Sequence, residues 1–194
     1  MAFSELPQFA AWRHVTARDG FEVAFIHAGA AGVRFEGHTN AIEAGEPFAV
    51  RYTIVLDEHG RTRHARIFGS SRSGCHEVVV ETDGEGRWRV DGVAAPTLDG
   101  CFDVDLESSS LTNAFPVRRL GLAVDGAIAD APAVYVRALD LRVERLEQRY
   151  RRIADDASGP RFEYEAPAFA THCVIRYDGS GLAIDYPGIA TRVG

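Results

Sequence analysis

The sequence predicts an all-β protein: a strongly curved antiparallel sheet forming a spiral β-roll or half-barrel, with at most one or two short helices. Three observations predict it. Apolar and polar residues alternate with a period of two along most of the chain. Six Asp-Gly pairs interrupt that alternation: Asp19-Gly20, Asp83-Gly84, Asp91-Gly92, Asp99-Gly100, Asp125-Gly126 and Asp178-Gly179. Both residue types tolerate the positive φ of tight turns. The turn spacing gives about eleven to thirteen strands, too many for one flat sheet, so the sheet is expected to curl and bury one face against itself.

Taken in order, strands are predicted over 9–16, 21–28 and 32–43. Phe48, Val50, Tyr52, Ile54 and Leu56 then share one strand face, with Arg51, Thr53 and Asp57 on the other. Strands follow over 62–69, 76–82 and 87–91. Phe102, Val104 and Leu106 alternate with Asp103, Asp105 and Glu107. Ser108–Leu120 resists this reading. Ser110 could cap a short helix, but Pro116 would then sit inside it, so a short helix or an irregular loop is expected there. A strand over 133–139 comes next. Leu139, Val143, Leu146, Tyr150 and Ile153 fall at helical spacing with Arg and Glu between them, and periodicity alone predicts an amphipathic helix. Phe162 and Tyr164 alternate with Arg161, Glu163 and Glu165. Cys173, Ile175 and Tyr177 lead through the turn Asp178-Gly179-Ser180-Gly181 to Leu182, Ile184 and Tyr186. No linker or repeat divides the chain, so residues 1–194 are read as one domain.

Composition excludes several classes. The 194 residues carry 21 basic side chains, all of them arginine, against 28 acids, for a net charge of −7. With few Asn and Gln, the absence of lysine reads as the bias of a GC-rich genome, so arginine number is no sign of phosphate binding. The acidic balance argues against a nucleic-acid partner. Residues 1–12 show no basic region followed by an apolar run, and no stretch approaches the roughly 18 apolar residues of a transmembrane span. A cytoplasmic location is therefore expected, and Cys75, Cys101 and Cys173, widely spaced, read as reduced thiols. There is no Walker A loop, no GxGxxG and no GxSxG, Gly69–Gly74 having the wrong register. The seven histidines form no spaced ligand set, so neither metal nor cofactor is expected.

One constellation stands out: Gly100-Cys-Phe-Asp103-Val-Asp105-Leu followed by Thr112-Asn113-Ala-Phe-Pro116-Val-Arg118-Arg119-Leu120. Strand geometry puts Asp103 and Asp105 on one face. Two like charges so placed need an answer, and Arg118 and Arg119 are the nearest guanidinium groups, whose planar fork suits carboxylates. The cluster can be an internal network locking a loop to the sheet, a polar patch at one end of a β-lined cavity, or a catalytic acid pair.

These motifs, with Gln148-Arg-Tyr150, Arg161-Phe-Glu-Tyr164 and Gly181-Leu…Asp185-Tyr186-Pro187, resemble a bacterial family labelled putative glycolipid-binding, over nearly the whole chain. Trp12, Arg51-Tyr52 and the Asp-Gly…Trp88 region also fit. The Thr-Asn-x-x-Pro-x-Arg-Arg-Leu string is the most specific piece. Ser109-Ser110 departs from the Thr-Pro that usually precedes it. The resemblance implies a spiral β-roll and shifts 141–153 from helix to strand. It also sets Arg118 and Arg119 apart from the general arginine bias, to which Arg151-Arg152 can be left.

A glycolipid site needs aromatic platforms and hydrogen-bonding groups for sugar, and an apolar cavity for acyl chains. Candidate ligand-binding residues are Asp103, Asp105, Thr112, Asn113, Arg118 and Arg119 from the constellation. Tyr52, Trp88, Gln148, Tyr150, Tyr164, Asp185 and Tyr186 complete the set. The leading expectation is non-catalytic binding of a small amphiphilic partner, a glycolipid in the family's terms. One alternative is a hydrolase or isomerase using Asp103, Asp105 and Arg118. Another is an interaction module presenting a sheet edge or apolar patch.

Overall fold

A computed structural model describes residues 3–193. Strands β1 (Phe9–His14), β2 (Asp19–Gly29), β3 (Gly32–Glu43), β4 (Glu46–Leu56), β5 (Thr62–Ser71), β6 (Gly74–Thr82), β7 (Trp88–Val90) and β8 (Val93–Ala94) form an up-and-down meander. There follow β9 (Asp103–Leu106), the helix α1 (Ala114–Leu120), β10 (Ala129–Asp130), β11 (Ala133–Val136) and β12 (Val143–Leu146). A second meander comprises β13 (Arg149–Asp156), β14 (Gly159–Ala166), β15 (Thr171–Tyr177), β16 (Ala183–Tyr186) and β17 (Ala190–Arg192). The meanders join where β17 pairs antiparallel with β1, setting Trp12 opposite Arg192. The result is one antiparallel sheet of 14 strands in the order β10-β13-β14-β15-β16-β17-β1-β2-β3-β4-β5-β6-β7-β8. It curls without closing. Its edges, β10 and β8, are two residues each, which leaves little ladder for another chain to pair with.

A small mixed sheet, β12-β11-β9, lies inside the curl, with β9 and β11 parallel. Both strands are buried at every position, so each is covered on both faces. One core joins Trp12, Ile54, Ile67 and Val80 of the large sheet to Val104, Phe115 and Val136. Phe115 of α1 meets Phe35 of β3 at a ring separation of 5.1 Å. A second core gathers Tyr150, Phe162, Tyr164, Ile175 and Tyr177 beneath Val117 of α1. Each such buried side chain contributes about 1.5–3 kcal/mol.

The alternation sets the faces as expected: Phe48, Val50, Tyr52, Ile54 and Leu56 all point inward. Five of the six Asp-Gly pairs fall in turns or loops, but Asp19-Gly20 opens β2. Glycine is required there because a Cβ on Gly20 would lie 2.4 Å from the Asn40 carbonyl oxygen. Ser108–Leu120 does contain a short helix. It starts at Ala114, so Pro116 falls in the first turn, where an N–H has no helical partner to lose. It ends at Gly121 with φ 57°.

The amphipathic helix suggested by periodicity over 139–153 is not formed; that segment is a turn followed by β12 and β13. Leu141 has φ 54°, which no helix permits. β12 and β13 belong to different sheets, so Leu146 and Tyr150 face the interior independently and their spacing imitates a helix. Within β13, Arg152 differs from its neighbour Arg151, which pairs with Glu163 on the outer face. Arg152 points inward, 4% exposed, binds Asp155 at 3.0 Å and lies over the Phe162 ring.

Candidate functional site, two cavities flanking helix α1

The Thr112–Arg119 segment is shared between two cavities. Asn113 borders one; Ala114, Phe115, Arg118 and Arg119 border the other. The larger is a groove of about 630 Å³. Its wall is apolar: Val33, Phe35, Leu56, Phe115 and Leu182. Its rim is polar: Asp57, Glu58 and His59 from the β4–β5 turn, and Arg118 and Arg119 from the last turn of α1. Arg118 donates to the backbone carbonyls of Ser180 and, at 3.4 Å, Ser4. It lies 5.8 Å from the Phe3 ring centroid and makes no ion pair among the described residues. Burial pulls its pKa below the usual arginine value while Asp178 opposes, yet a guanidinium remains protonated.

Arg119 is engaged differently. It grips Asp103 with two hydrogen bonds, Nε to Oδ1 at 3.1 Å and Nη2 to Oδ2 at 2.5 Å. Asp103 is fully buried. Burial raises its pKa, and the Arg119 hydrogen bonds and charge oppose that rise.

The smaller cavity, about 230 Å³, receives Asp105, Asn113, Tyr164 and Tyr186 together with Tyr135 and Arg137. Asp105 accepts the Thr112 hydroxyl at 2.7 Å. Burial pushes its carboxyl up to about 6; the Thr112 bond opposes this, and the charges of Asp103 and Glu107 add to it. Behind these residues Tyr150 donates to Asn113 Oδ1 at 2.9 Å and Tyr164 to Gln148 Oε1 at 3.0 Å.

The family described as "Putative glycolipid-binding" matches residues 9–192. This chain belongs to that family. A crystal structure of a DUF1089 family protein from Pseudomonas aeruginosa is 31% identical, with a TM-score of 0.78 over 100% of both chains. A β-barrel-like protein of the DUF1849 domain from Brucella abortus shares the fold at 12% identity, TM-score 0.54, covering 98% of this chain and 96% of that one. No curated protein matches.

In this glycolipid-binding family member the remaining candidates line neither cavity. Tyr52 and Tyr150 are core residues; Gln148 and Thr112 are buried behind the smaller cavity. Trp88 donates its indole N–H to the Cys101 carbonyl at 3.0 Å, and Trp12 donates its own to the Ala183 carbonyl at 2.7 Å. Asp185 lies on the half-exposed side of β16 and pairs with Arg176 at 2.9 Å. Asp103, Asp105 and Arg118 do not converge either. Arg119 occupies Asp103, Asp105 lines the smaller cavity and Arg118 binds backbone carbonyls at the groove, so these three groups border no common cavity. Among the exposed apolar residues, Phe9, 60% exposed, and Phe25, 50% exposed, are paired on the outer face of β1 and β2. Among the described residues no helix is long and apolar enough to cross a membrane, and no cluster of three or more His, Cys, Asp or Glu side chains is arranged to hold a metal.

Sequence reasoning missed Glu22. It points inward from β2 with 0% exposure. It accepts the Tyr52 hydroxyl at 2.7 Å, the Ser109 hydroxyl, and the Ser110 N–H at 2.7 Å. Tyr52 reaches it by crossing β3 at Gly37, where a Cβ would lie 2.1 Å from the Tyr52 ring. The larger apolar residues of β2, Phe21 and Phe25, sit on the opposite, exposed face, so the alternation pointed the wrong way. Only the register of Glu22 with Ala24 and Ile26 marks it.

Asp105 is the costly member of the smaller cavity. Its pKa rises from the ordinary 3.8 to about 6, so the native state holds an extra proton between those values. Stability therefore falls as pH rises from about 4 to 6 and stays lower above, by on the order of 3 kcal/mol. Asp105→Asn keeps the shape and an acceptor for Thr112. It is expected to raise Tm at pH 8 by about 6–12 °C and to leave it nearly unchanged at pH 4, read by thermal denaturation at the two pH values. Destabilisation at pH 8 would show that the carboxylate serves folding.

Proposed function

We propose that this chain binds an amphiphilic small molecule of the glycolipid class, without chemistry, in the groove beside α1. The observation that carries this reading is the groove's division into an apolar wall and a polar rim. Its volume of about 630 Å³ falls within the ~300–1,000 Å³ of small-molecule sites. Val33, Phe35, Leu56, Phe115 and Leu182 offer an alkyl chain a surface, and every methylene buried there contributes about 0.8 kcal/mol. Asp57, Glu58 and His59 offer hydrogen bonds to hydroxyls, and Arg118 offers donors free of a carboxylate. The family's description supports a lipid-like ligand.

Octyl glucoside below its micelle concentration is a direct probe. Titration calorimetry on the whole protein is expected to show binding. Val33→Glu, which places a charge at a partly exposed wall position, should weaken it about tenfold or more. Arg118→Ala should weaken it less. Equal binding by Val33→Glu with its fold intact by circular dichroism would place the ligand elsewhere.

A further inference from the structure

We propose that the smaller cavity is a second, separate site that takes a neutral polyhydroxylated ring, of the size of one monosaccharide or cyclitol. It does not depend on the amphiphile reading of the groove, because the two cavities have no lining residue in common.

Size is the first constraint. About 230 Å³ lies below the ~300–1,000 Å³ of drug-sized sites, so the cavity suits a single ring. Its hydrogen-bonding groups are the second. Thr112 occupies only Oδ1 of Asp105; Oδ2 makes no hydrogen bond among the described residues, although Asp105 is only 6% exposed. Asn113, 4% exposed, uses Oδ1 to accept from Tyr150, and its amide N–H₂ has no partner among the described residues. A carboxylate acceptor and an amide donor thus stand spare on the cavity lining, where a ligand's hydroxyl groups can take the place of solvent. Hydroxyl groups, which donate and accept, satisfy both.

The aromatic lining is the third constraint. Tyr164 and Tyr186 meet edge to face at 5.8 Å, and Tyr135 and Phe169 pair at 5.3 Å. The Tyr164–Tyr186 pair, over which no guanidinium lies among the described residues, suits the apolar face of a sugar or cyclitol ring.

Charge narrows the class. Arg18 is held by Glu43 at 3.0 Å, and Arg137 by Glu107 at 3.2 Å and Glu144 at 2.6 Å. The unpaired charge facing the cavity is therefore the Asp105 carboxylate, which repels phosphates and carboxylates. A quaternary ammonium, with no N–H to give Asp105, would need the aromatic faces, but Arg137 already lies 5.2 Å from the centroids of both Tyr135 and Phe169. A second cation there would meet like-charge repulsion. A neutral polyol avoids both conflicts.

Saturation-transfer NMR on the whole protein at pH 7.5 tests this with glucose, myo-inositol, glucose 6-phosphate and choline as probes. Glucose or myo-inositol is expected to bind and the phosphate and choline are not. Asp105→Asn should weaken the polyol by about tenfold, the loss of a charge-assisted hydrogen bond. Tyr186→Phe provides a second variant that keeps the wall and removes one hydroxyl. Val33→Glu in the groove should leave polyol binding unchanged. Binding of neither polyol, preference for choline or the phosphate, or unchanged polyol affinity in folded Asp105→Asn would overturn the proposal. Loss of polyol binding in Val33→Glu would overturn the separateness of the two sites.

Discussion

Glu22→Leu is expected to destabilise the protein by about 3–5 kcal/mol, whereas Glu22→Gln should cost far less. The carboxyl is fully buried and gathers two hydroxyl donors and one backbone N–H from β4 and the Ser109–Ser110 turn. Leucine leaves all three donors without an acceptor, and each orphaned donor costs ~1–3 kcal/mol, less what local relaxation recovers. Burial raises the Glu22 pKa, with Ser109, Tyr52 and the backbone donors opposing. Burial thus works against the charged form, and an uncharged group of the same shape is expected to be tolerated. Glutamine can keep its carbonyl on the Ser110 N–H and turn its N–H₂ toward the Tyr52 and Ser109 oxygens, which can accept. Urea denaturation of both variants separates the two readings: equal losses would mean that the negative charge, and not the acceptor geometry, holds the turn to the sheet.

Arg119→Met should cost about 3–5 kcal/mol, because it strands Asp103 without a partner in a fully buried position. The pair is bidentate, and Arg119 also lies 5.5 Å from the Phe102 ring centroid, so packing is lost as well as charge. Adding Asp103→Leu to Arg119→Met removes the stranded carboxylate and should recover much of the loss, since a buried ion pair replaced by apolar groups is often near neutral. A double variant as unstable as the single one would locate the cost in Phe102 packing instead. The comparison with Arg118 is instructive. Adjacent in sequence, the two arginines leave α1 in different directions, one closing an internal pair and the other standing unpaired at the groove.

That division explains what could be read from the residues alone. Strand faces such as Phe48 to Leu56 were legible because one side meets solvent and the other the core, and a two-residue period records it. β9 and β11 carry no such record, being covered on both faces. The helical spacing of Leu139 to Ile153 was an accident of two strands in two sheets. In the site, the constellation around Asp103 to Arg119 stood out in sequence as a polar cluster, but that Asp103, Asp105, Thr112 and Asn113 are all buried was not legible there. Its division between two cavities was not legible, because it depends on which way α1 runs. Glu22 was hidden for a related reason: its donors lie 30, 87 and 88 residues away, beyond any local pattern.

The seam between β1 and β17 bears on how the molecule is assembled. Every other ladder of the first meander, from β1 to β8, can zip up from local hairpins, and so can those from β13 to β17. The seam cannot. Its companion contact, the Trp12 indole on the Ala183 carbonyl, spans 171 residues of sequence, so the chain between must be gathered before the two meanders meet. Loop-closure entropy opposes that step, and non-local strand pairing is slow. Two half-sheets with open edges at β1 and β17 are the expected kinetic intermediates, and those edges, paired and protected in the finished roll, are the surfaces on which refolding chains would associate with one another.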